Sequence, residues 1–222
     1  MIPAPLRLAG IRGVIARRMQ ESLSSTAQLS FFADADARPL LAAREAWKAA
    51  GHRVGIEDLV ILALARTLAD HPRLNAIETD GEIVPQERVH VSVAIAVPDA
   101  LVAPCVFDCQ RKSLLEIAAE RRSLVERAPA NRLSVSEMSG GTFTLTNLGQ
   151  TRVRHFTPIL NRPQVAILGL GRISPAGEMG LSLTVDHRAV DGWPAGRFLS
   201  DLAERLEAPH PRPEGDTPWT SD

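Results

Sequence analysis

Apolar positions recur at the spacing of an α-helix along several segments of the chain, which gives each segment one buried face. An extended arm is expected over residues 1–8. The predicted helices cover about residues 9–24, 39–50, 56–70 and 113–126, with a last helix after Asp191. The segment 56–70 is apolar on almost every side, so we expect this helix near the centre of the fold. Gly51 stands where a glycine commonly ends a helix.

Alternation of apolar and polar residues predicts a second set of elements, the strands. The pattern is clear over residues 29–37, 89–97, 142–146 and 181–185, and two continuous apolar runs, 101–107 and 165–171, predict buried strands. Asp80-Gly81 separates two short runs and favours a type I′ hairpin turn. We expect a loop over residues 129–138. The mixture of helices and strands with short connections predicts one α/β or α+β domain built on a large mixed sheet.

Composition limits the kind of protein this chain can be. It has 222 residues, a hydrophobic fraction of 45% and a net charge of -1, so we expect a substantial core and neither nucleic acid nor a membrane as a partner. Cys105 and Cys109 have no second pair and no nearby histidine to complete a zinc site, so we expect free thiols and no metal. The chain shows no signal peptide and no apolar run of about 20 residues. We therefore expect a cytoplasmic protein.

The clearest candidate chemistry lies in the stretch Asp186-His187-Arg188-Ala189-Val190-Asp191-Gly192. Continuing the alternation of the preceding strand places His187 on the apolar side, at the junction with the last helix. The spacing leaves two roles open for His187: a general base or, more common at such a position, a hydrogen-bonded core residue. Asp191 is a candidate partner of the histidine and also a candidate N-cap of the last helix, and the two roles are compatible.

Four stretches of the chain stand out together: an opening helix, a glycine-rich strand, a second apolar strand and the histidine motif, which are Arg12–Met19, Gly140–Gly149, Pro163–Gly171 and Asp186–Gly192. In this order and spacing they resemble the catalytic domain of the 2-oxo acid dehydrogenase acyltransferases. The resemblance runs from about residue 6 to about residue 207. A single His-x-x-x-Asp-Gly motif is a weak signal, whereas four stretches in the right order are specific.

The resemblance implies a chloramphenicol acetyltransferase-like fold, with a mixed β-sheet covered by helices, assembled as a homotrimer. It implies an active site between subunits, which coenzyme A enters from one side and a dihydrolipoyl thiol from the other. His187 would be the general base, and Asp191 would support activity and the shape of the motif loop. Thr146, from the neighbouring subunit, would hydrogen-bond the tetrahedral intermediate where many members have serine. Asn147 and Gly192 are expected to contact substrate.

Thr146 has an ordinary interpretation as well, because its pattern alone is that of any strand threonine. Replacing serine with threonine keeps the hydroxyl but adds a methyl group and restricts rotation about χ1. The chemistry is therefore retained, while the alignment of the hydroxyl is left open by the sequence.

Two departures from the family pattern affect the expected partners. Members usually carry lipoyl and subunit-binding domains, whereas this chain shows neither and lacks the Asp-Lys pair of a lipoyl attachment site. We divide it into an acyltransferase catalytic domain, residues 1–207, and a flexible polar tail, residues 208–222. If the domain works alone, a separate lipoyl-domain protein supplies the acyl carrier, or the acceptor is a free small molecule. Because the tail is polar and rich in proline, we expect an isolated homotrimer rather than a larger core.

The predicted reaction is acyl transfer between coenzyme A and a dihydrolipoyl thiol. A thiol with an ordinary pKa of about 8.5 is mostly neutral at pH 7, and a neutral imidazole can take its proton as it attacks a thioester. Two alternatives stay open: acyl transfer from coenzyme A to another small-molecule acceptor, such as an alcohol, and a non-catalytic trimeric scaffold. The sequence does not indicate which acyl group is carried.

Overall fold

A six-stranded mixed sheet carries the fold in the computed structural model, which describes residues 8–98 and 100–218. The helices are α1 Gly10–Ser25, α2 Arg38–Ala49, α3 Ile56–Asp70, α4 Leu114–Arg127, α5 Val135–Ser139 and α6 Gly192–Glu207. The strands are β1 Gln28–Asp36, β2 Ala76–Thr79, β3 Glu82–Pro85, β4 Val91–Val93, β5 Ile95–Val97, β6 Ala100–Val102, β7 Cys105–Val106, β8 Phe143–Asn147, β9 Ala166–Ile173 and β10 Glu178–Asp186.

The large sheet has the strand order β1-β10-β9-β8-β4-β7. Strand β8 runs parallel to β4 and β9, and the other pairs are antiparallel. One face, which we call the helix face, packs against the helices, as the ring of Phe143 does against Phe198 of α6, 6.1 Å between centroids. The opposite face, the open face, carries hydroxyl side chains such as Thr144 and Ser182, which bond to the segment between β8 and β9. The two faces therefore have different chemistry.

Several predictions from periodicity are confirmed. Helix α3 has the predicted bounds and lies in the core, with ten buried residues. Gly51 follows α2 with a φ of +84°. Asp80 and Gly81 both have positive φ, 52° and 83°, as a type I′ turn requires. Along β8 the predicted alternation is present, with Phe143 on the helix face.

Two predicted strands are each divided in the structure. Residues 89–97 form β4 in the large sheet and β5 in a separate hairpin with β6, and residues 101–107 are split between β6 and β7. The division falls at Ala94, where the chain leaves the large sheet after a last bond to the carbonyl of Leu145. The apolar pattern continues past the break because the hairpin also buries a side chain, Ile95. Alternation alone therefore does not reveal the change of sheet.

The prediction of a plain loop over residues 129–138 is wrong, because helix α5 begins within it. Ser134 caps this helix: its hydroxyl accepts from the N–H of Glu137, and the Glu137 carboxylate accepts from the N–H of Ser134. Arg127 pairs with the same carboxylate at 2.5 Å and, as the leading cause, lowers the pKa of Glu137 to about 2. The Ser-x-x-Glu spacing is a readable capping signal.

The segment after α6 differs from the predicted loose tail. The indole N–H of Trp47 donates to the carbonyl of Pro211 at 2.9 Å. The carboxylate of Asp216 accepts from the N–H groups of Leu114 and Leu115, at the start of α4. Residues 208–216 are therefore fastened to the domain. The predicted arm over residues 1–7 and Trp219 lie outside the described residues.

None of the helices in the described part of the chain has the length and apolarity needed to cross a bilayer.

Replacing Asp216 with alanine tests how firmly the C-terminal segment is held. Two N–H groups at the start of α4 would lose their acceptor, and loss of a helix cap typically costs about 0.5–2 kcal/mol. We expect the free energy of unfolding, measured by urea denaturation, to fall within that range. Glu214→Ala removes the same charge from an exposed neighbour and is the matched control. Equal stability of the two variants would contradict a capping role.

Candidate active site

The turn that carries His187 is fixed by the buried carboxylate of Asp186, the last residue of β10. This carboxylate accepts hydrogen bonds from the backbone N–H groups of Ala27 and Arg188 and from the Arg188 guanidinium. The N–H of His187 donates to the carbonyl of Ala27 at 2.8 Å. The end of β10 and the entry to β1 therefore hold the turn from both sides.

Burial and hydrogen bonding act in opposite directions on Asp186. Its side chain is 2% exposed, and burial on its own would raise the pKa of the carboxyl. The hydrogen bonds from Arg188 and from the backbone of Ala27 outweigh that effect and hold the pKa below its ordinary value of 3.8. Asp186 therefore stays ionised at neutral pH, and its charged carboxylate holds the turn in one conformation.

The side chain of His187 is 46% exposed in the single chain. The prediction that it continues the apolar side of the strand is therefore wrong. The reason is local: β10 ends at Asp186 and the chain turns over residues 187–189. The Nδ1 atom lies 3.7 Å from Oδ1 of Asp191, which is beyond hydrogen-bonding distance. The imidazole is thus free to meet a molecule from solvent, with a carboxylate beside it.

Asp191 occupies the predicted N-cap position of α6, but its side chain makes no capping hydrogen bond. Only its backbone carbonyl takes part, accepting from Ala195 at 3.2 Å. Gly192 follows, and a Cβ built on it would meet nothing nearer than the Phe31 ring at 3.8 Å. Crowding within the chain therefore does not explain a glycine there, and its predicted contact with substrate stays a prediction.

Thr146 lies on the open face of β8, opposite Gly169 of β9. It lines a cavity of about 320 Å³ whose walls are mainly apolar. The cavity is bounded by α1, by β6 and by the segment between β8 and β9. Its lining includes Ile15, Met19, Leu101, Val102, Met138, Thr144, Phe156, Ile159 and Ile167.

Asn147, expected to contact substrate, has its side chain engaged within the chain. Its amide Nδ2 donates to Glu57 at 3.1 Å, and its Oδ1 accepts from the N–H of Gly149 at 2.7 Å. Glu57 also pairs with Arg121 at 3.3 Å. These contacts hold the end of β8 against the start of α3. A contact of Asn147 with substrate stays a prediction.

Thr146 and His187 are far apart within one chain. The partner of Thr146 is Gly169, whose partner on β10 is Ser182, five residues before His187. At about 3.3 Å per residue along a strand and about 4.8 Å between strands, the two residues are separated by roughly 19 Å. A hydrogen bond spans about 3 Å, so one chain alone does not bring both side chains to one reacting group.

Beyond the cavity, a buried polar cluster joins β8 to the approach to β9. Thr144 donates to Gln164 at 2.5 Å, and Gln164 donates to the carbonyl of Gly141 at 3.0 Å. The amide of Asn161 donates to the same threonine at 3.3 Å. Because buried polar groups that satisfy one another fix a single arrangement, the cavity floor is held in place.

Residues 153–156, which we call the cover segment, lie directly on the open face over three glycines. A Cβ would fall 1.8 Å from the Arg154 carbonyl oxygen at Gly171 and 2.0 Å from the same atom at Gly180. At Gly169 it would fall 2.6 Å from the ring of Phe156. Phe156 lines the cavity, and the hydrophobic pattern around it did not indicate a site residue. The available signal was the pair of glycines in β9, since glycine within a strand often marks close approach of another segment.

Cys105 and Cys109 are free thiols, as predicted, and both are buried. Burial raises the pKa of each to about 12, so neither is ionised at neutral pH. In the part of the chain that the structure describes, no three His, Cys, Asp or Glu side chains are grouped to hold a metal ion.

The architecture places the chain in a class of acyltransferase-like folds. Its structure superposes on chloramphenicol acetyltransferase with a TM-score of 0.57 at 18% identity, covering 85% of this chain and 93% of that one. At that identity the likeness shows the fold alone. The predicted fold class is thereby confirmed.

The chain belongs to the family of 2-oxoacid dehydrogenases acyltransferase catalytic domains, whose model matches residues 4–211. The dihydrolipoyllysine-residue acetyltransferase component of the acetoin cleaving system of Bacillus subtilis is 37% identical over 218 residues, covering 91% of this chain and 55% of the relative. The chain spans about half the length of the curated relatives it matches.

Among solved structures, the dihydrolipoamide acetyltransferase of Azotobacter vinelandii superposes with a TM-score of 0.86 at 31% identity, covering 93% of this chain and 91% of that one. That structure belongs to a crystallographic and enzymatic investigation of the roles of a serine, a histidine and an asparagine in the catalytic mechanism of that protein.

Replacing Arg188 with methionine tests the anchor of the histidine turn. Asp186 would lose its guanidinium partner but keep its backbone donors, and a hydrogen bond to a charged group contributes about 1.5–3 kcal/mol. We expect the free energy of unfolding at pH 7 to fall by about 2 kcal/mol. Pairing lowers the pKa of Asp186 in the folded chain. The contribution is therefore fully present at pH values above 3.8, the ordinary pKa of the carboxyl, and is lost as the pH falls from 3.8 through the lower pKa of the folded chain.

Urea unfolding near neutral pH and at about pH 3 measures this dependence. Arg152→Met makes the same substitution at another exposed arginine and serves as the control. A deficit for Arg188→Met of equal size at both pH values would show that the carboxylate is not its origin.

Proposed function

We propose that this chain is the catalytic domain of an acyltransferase that moves an acyl group between coenzyme A and a dihydrolipoyl thiol. Membership of the family supports the activity. The observation that carries the proposal is the exposed imidazole of His187 on a turn that Asp186 holds rigidly, with Asp191 3.7 Å away. This combination suits a base that must meet a substrate from solvent in one fixed position.

In the proposed reaction, the sulfur of one thiol attacks the carbonyl carbon of the acyl thioester while His187 takes the thiol proton. Asp191 lies on the Nδ1 side of the ring, so Nε2 is the atom that receives the proton. The carbonyl oxygen gains negative charge in the tetrahedral intermediate and is stabilised by the hydroxyl of Thr146. The intermediate collapses as the carbon–sulfur bond to the leaving group breaks, and His187 returns the proton to the departing thiolate.

We propose further that two copies of the chain form each active site, within a homotrimer. The roughly 19 Å between Thr146 and His187 in one chain supports this arrangement. Exposed apolar side chains also support association: Trp193, next to the histidine turn, is 80% exposed, and Phe32, farther along the edge strand β1, is 51% exposed. Apolar residues clustered on a surface commonly mark an association site.

Removing the imidazole tests the base. His187→Ala should lower kcat for transfer from acetyl-CoA to dihydrolipoamide by about 100- to 10,000-fold, as expected for loss of general base catalysis. His52→Ala removes another exposed histidine, remote in sequence from the motif, and should leave kcat unchanged. If His187→Ala retained wild-type kcat, the assignment of the base would be wrong.

Mixing two inactive variants tests the shared site. Thr146→Val keeps the shape of threonine but removes the hydroxyl, and should lower kcat by about 100-fold; Thr146→Ser, which keeps it, should stay active. In mixed trimers of His187→Ala and Thr146→Val chains, a site that takes its histidine from one chain and its threonine from the next is intact in about one quarter of random cases.

We therefore expect co-refolded mixtures to recover about one quarter of wild-type activity, although each variant alone is nearly inactive. Mixtures of preformed trimers that have not exchanged subunits are the control and should stay inactive. Failure of refolded mixtures to recover activity, with the trimer mass confirmed by light scattering, would contradict a site shared between chains.

A further inference from the structure

The cover segment is held to the sheet across three neighbouring strands. The N–H of Arg172 donates to the carbonyl of Val153 at 2.8 Å, and the N–H of Phe156 donates to the hydroxyl of Ser182 at 3.2 Å. The side chain of Arg154 pairs with Asp34 at 2.9 Å, on β1, and with Glu178, on β10. Backbone and side-chain contacts thus fix where this segment can place its last residue.

That last residue is Phe156, whose ring rests on Gly169. Gly169 lies directly opposite Thr146 in the parallel pair β8–β9, and strand partners lie about 4.8 Å apart with their side chains on the same face. The ring therefore stands beside the hydroxyl of Thr146 and forms part of the same cavity wall, together with Ile167 and Ile159.

We propose that Phe156 sets the upper size limit of the acyl group, so that the site takes short, unbranched acyl groups of the acetyl class. This inference rests on the proposed function, because the wall matters only if the acyl carbon sits beside Thr146. The cavity of about 320 Å³ must hold the thiol end of coenzyme A or of the dihydrolipoyl group as well as the acyl group. The ring occupies the space into which a branched or longer chain would extend.

The glycine beneath the ring gives a second, independent way to move the wall. A Cβ at position 169 would fall 2.6 Å from the ring, so Gly169→Ala forces the ring away from the sheet and into the cavity. Phe156→Ala removes the ring and opens the same space. The two substitutions should therefore change acyl preference in opposite directions, which a general loss of structure would not do.

The experiment measures kcat/KM for acetyl-CoA, propionyl-CoA and isobutyryl-CoA with dihydrolipoamide as the common acceptor. A methylene that fits or fails to fit an apolar pocket changes kcat/KM by about 10- to 200-fold. We expect Phe156→Ala to raise the isobutyryl-to-acetyl ratio by at least about 10-fold, and Gly169→Ala to lower the propionyl-to-acetyl ratio. If the alanine variant does not fold, Phe156→Leu, which keeps an apolar contact on Gly169, takes its place and should give a smaller rise in the isobutyryl-to-acetyl ratio.

Ile83→Ala, in the β2–β3 hairpin outside the cavity, is the control and should leave both ratios unchanged. If wild type transfers acetyl but the ratios of the folded variants match those of wild type, the size-limit proposal fails while the proposed function stands. If wild type transfers no acyl group to dihydrolipoamide, the proposed function fails and the size limit fails with it.

Discussion

The buried carboxylate of Asp186 is the interaction on which the arrangement of the site depends. Removing an ionised carboxylate from water costs several kcal/mol unless its oxygens are paired, and here the N–H groups of Ala27 and Arg188 and the Arg188 guanidinium pair them. The same contacts join the end of β10 to the entry to β1. Disturbing Asp186 would therefore disturb the strand pair and the position of His187 together.

The two faces of the large sheet divide structure from chemistry. The helix face is built from apolar side chains such as Phe143 and Leu183, which are fully buried. The open face carries hydroxyl groups and a row of glycines; the irregular cover segment lies directly on it, and α1 lies across the cavity. Stability thus comes mainly from one face, which leaves the other free to form a cavity beside Thr146.

Local patterns predicted the elements that bury a continuous face, and they failed where tertiary context decides. Helix α3 followed from its apolar periodicity, and β8 followed from its alternation. The break at Ala94 did not, because the hairpin beyond it buries Ile95 as the large sheet would. The exposure of His187 depends on where β10 ends. That point is set by the hydrogen bond from Ala27, a residue far away in the sequence, to the carboxylate of Asp186. The separation of Thr146 from His187 required the strand order.

The glycines beneath the cover segment constrain how this site can diverge in evolution. Any side chain at Gly171 or Gly180 would collide with the backbone of Arg154, so the path of the covering chain tolerates little drift. The ring of Phe156 rests on a glycine and faces the cavity, so its size can vary without moving that path. A lineage that acquired a new substrate would therefore change one side chain on an unchanged backbone, a short mutational step compared with rebuilding a loop.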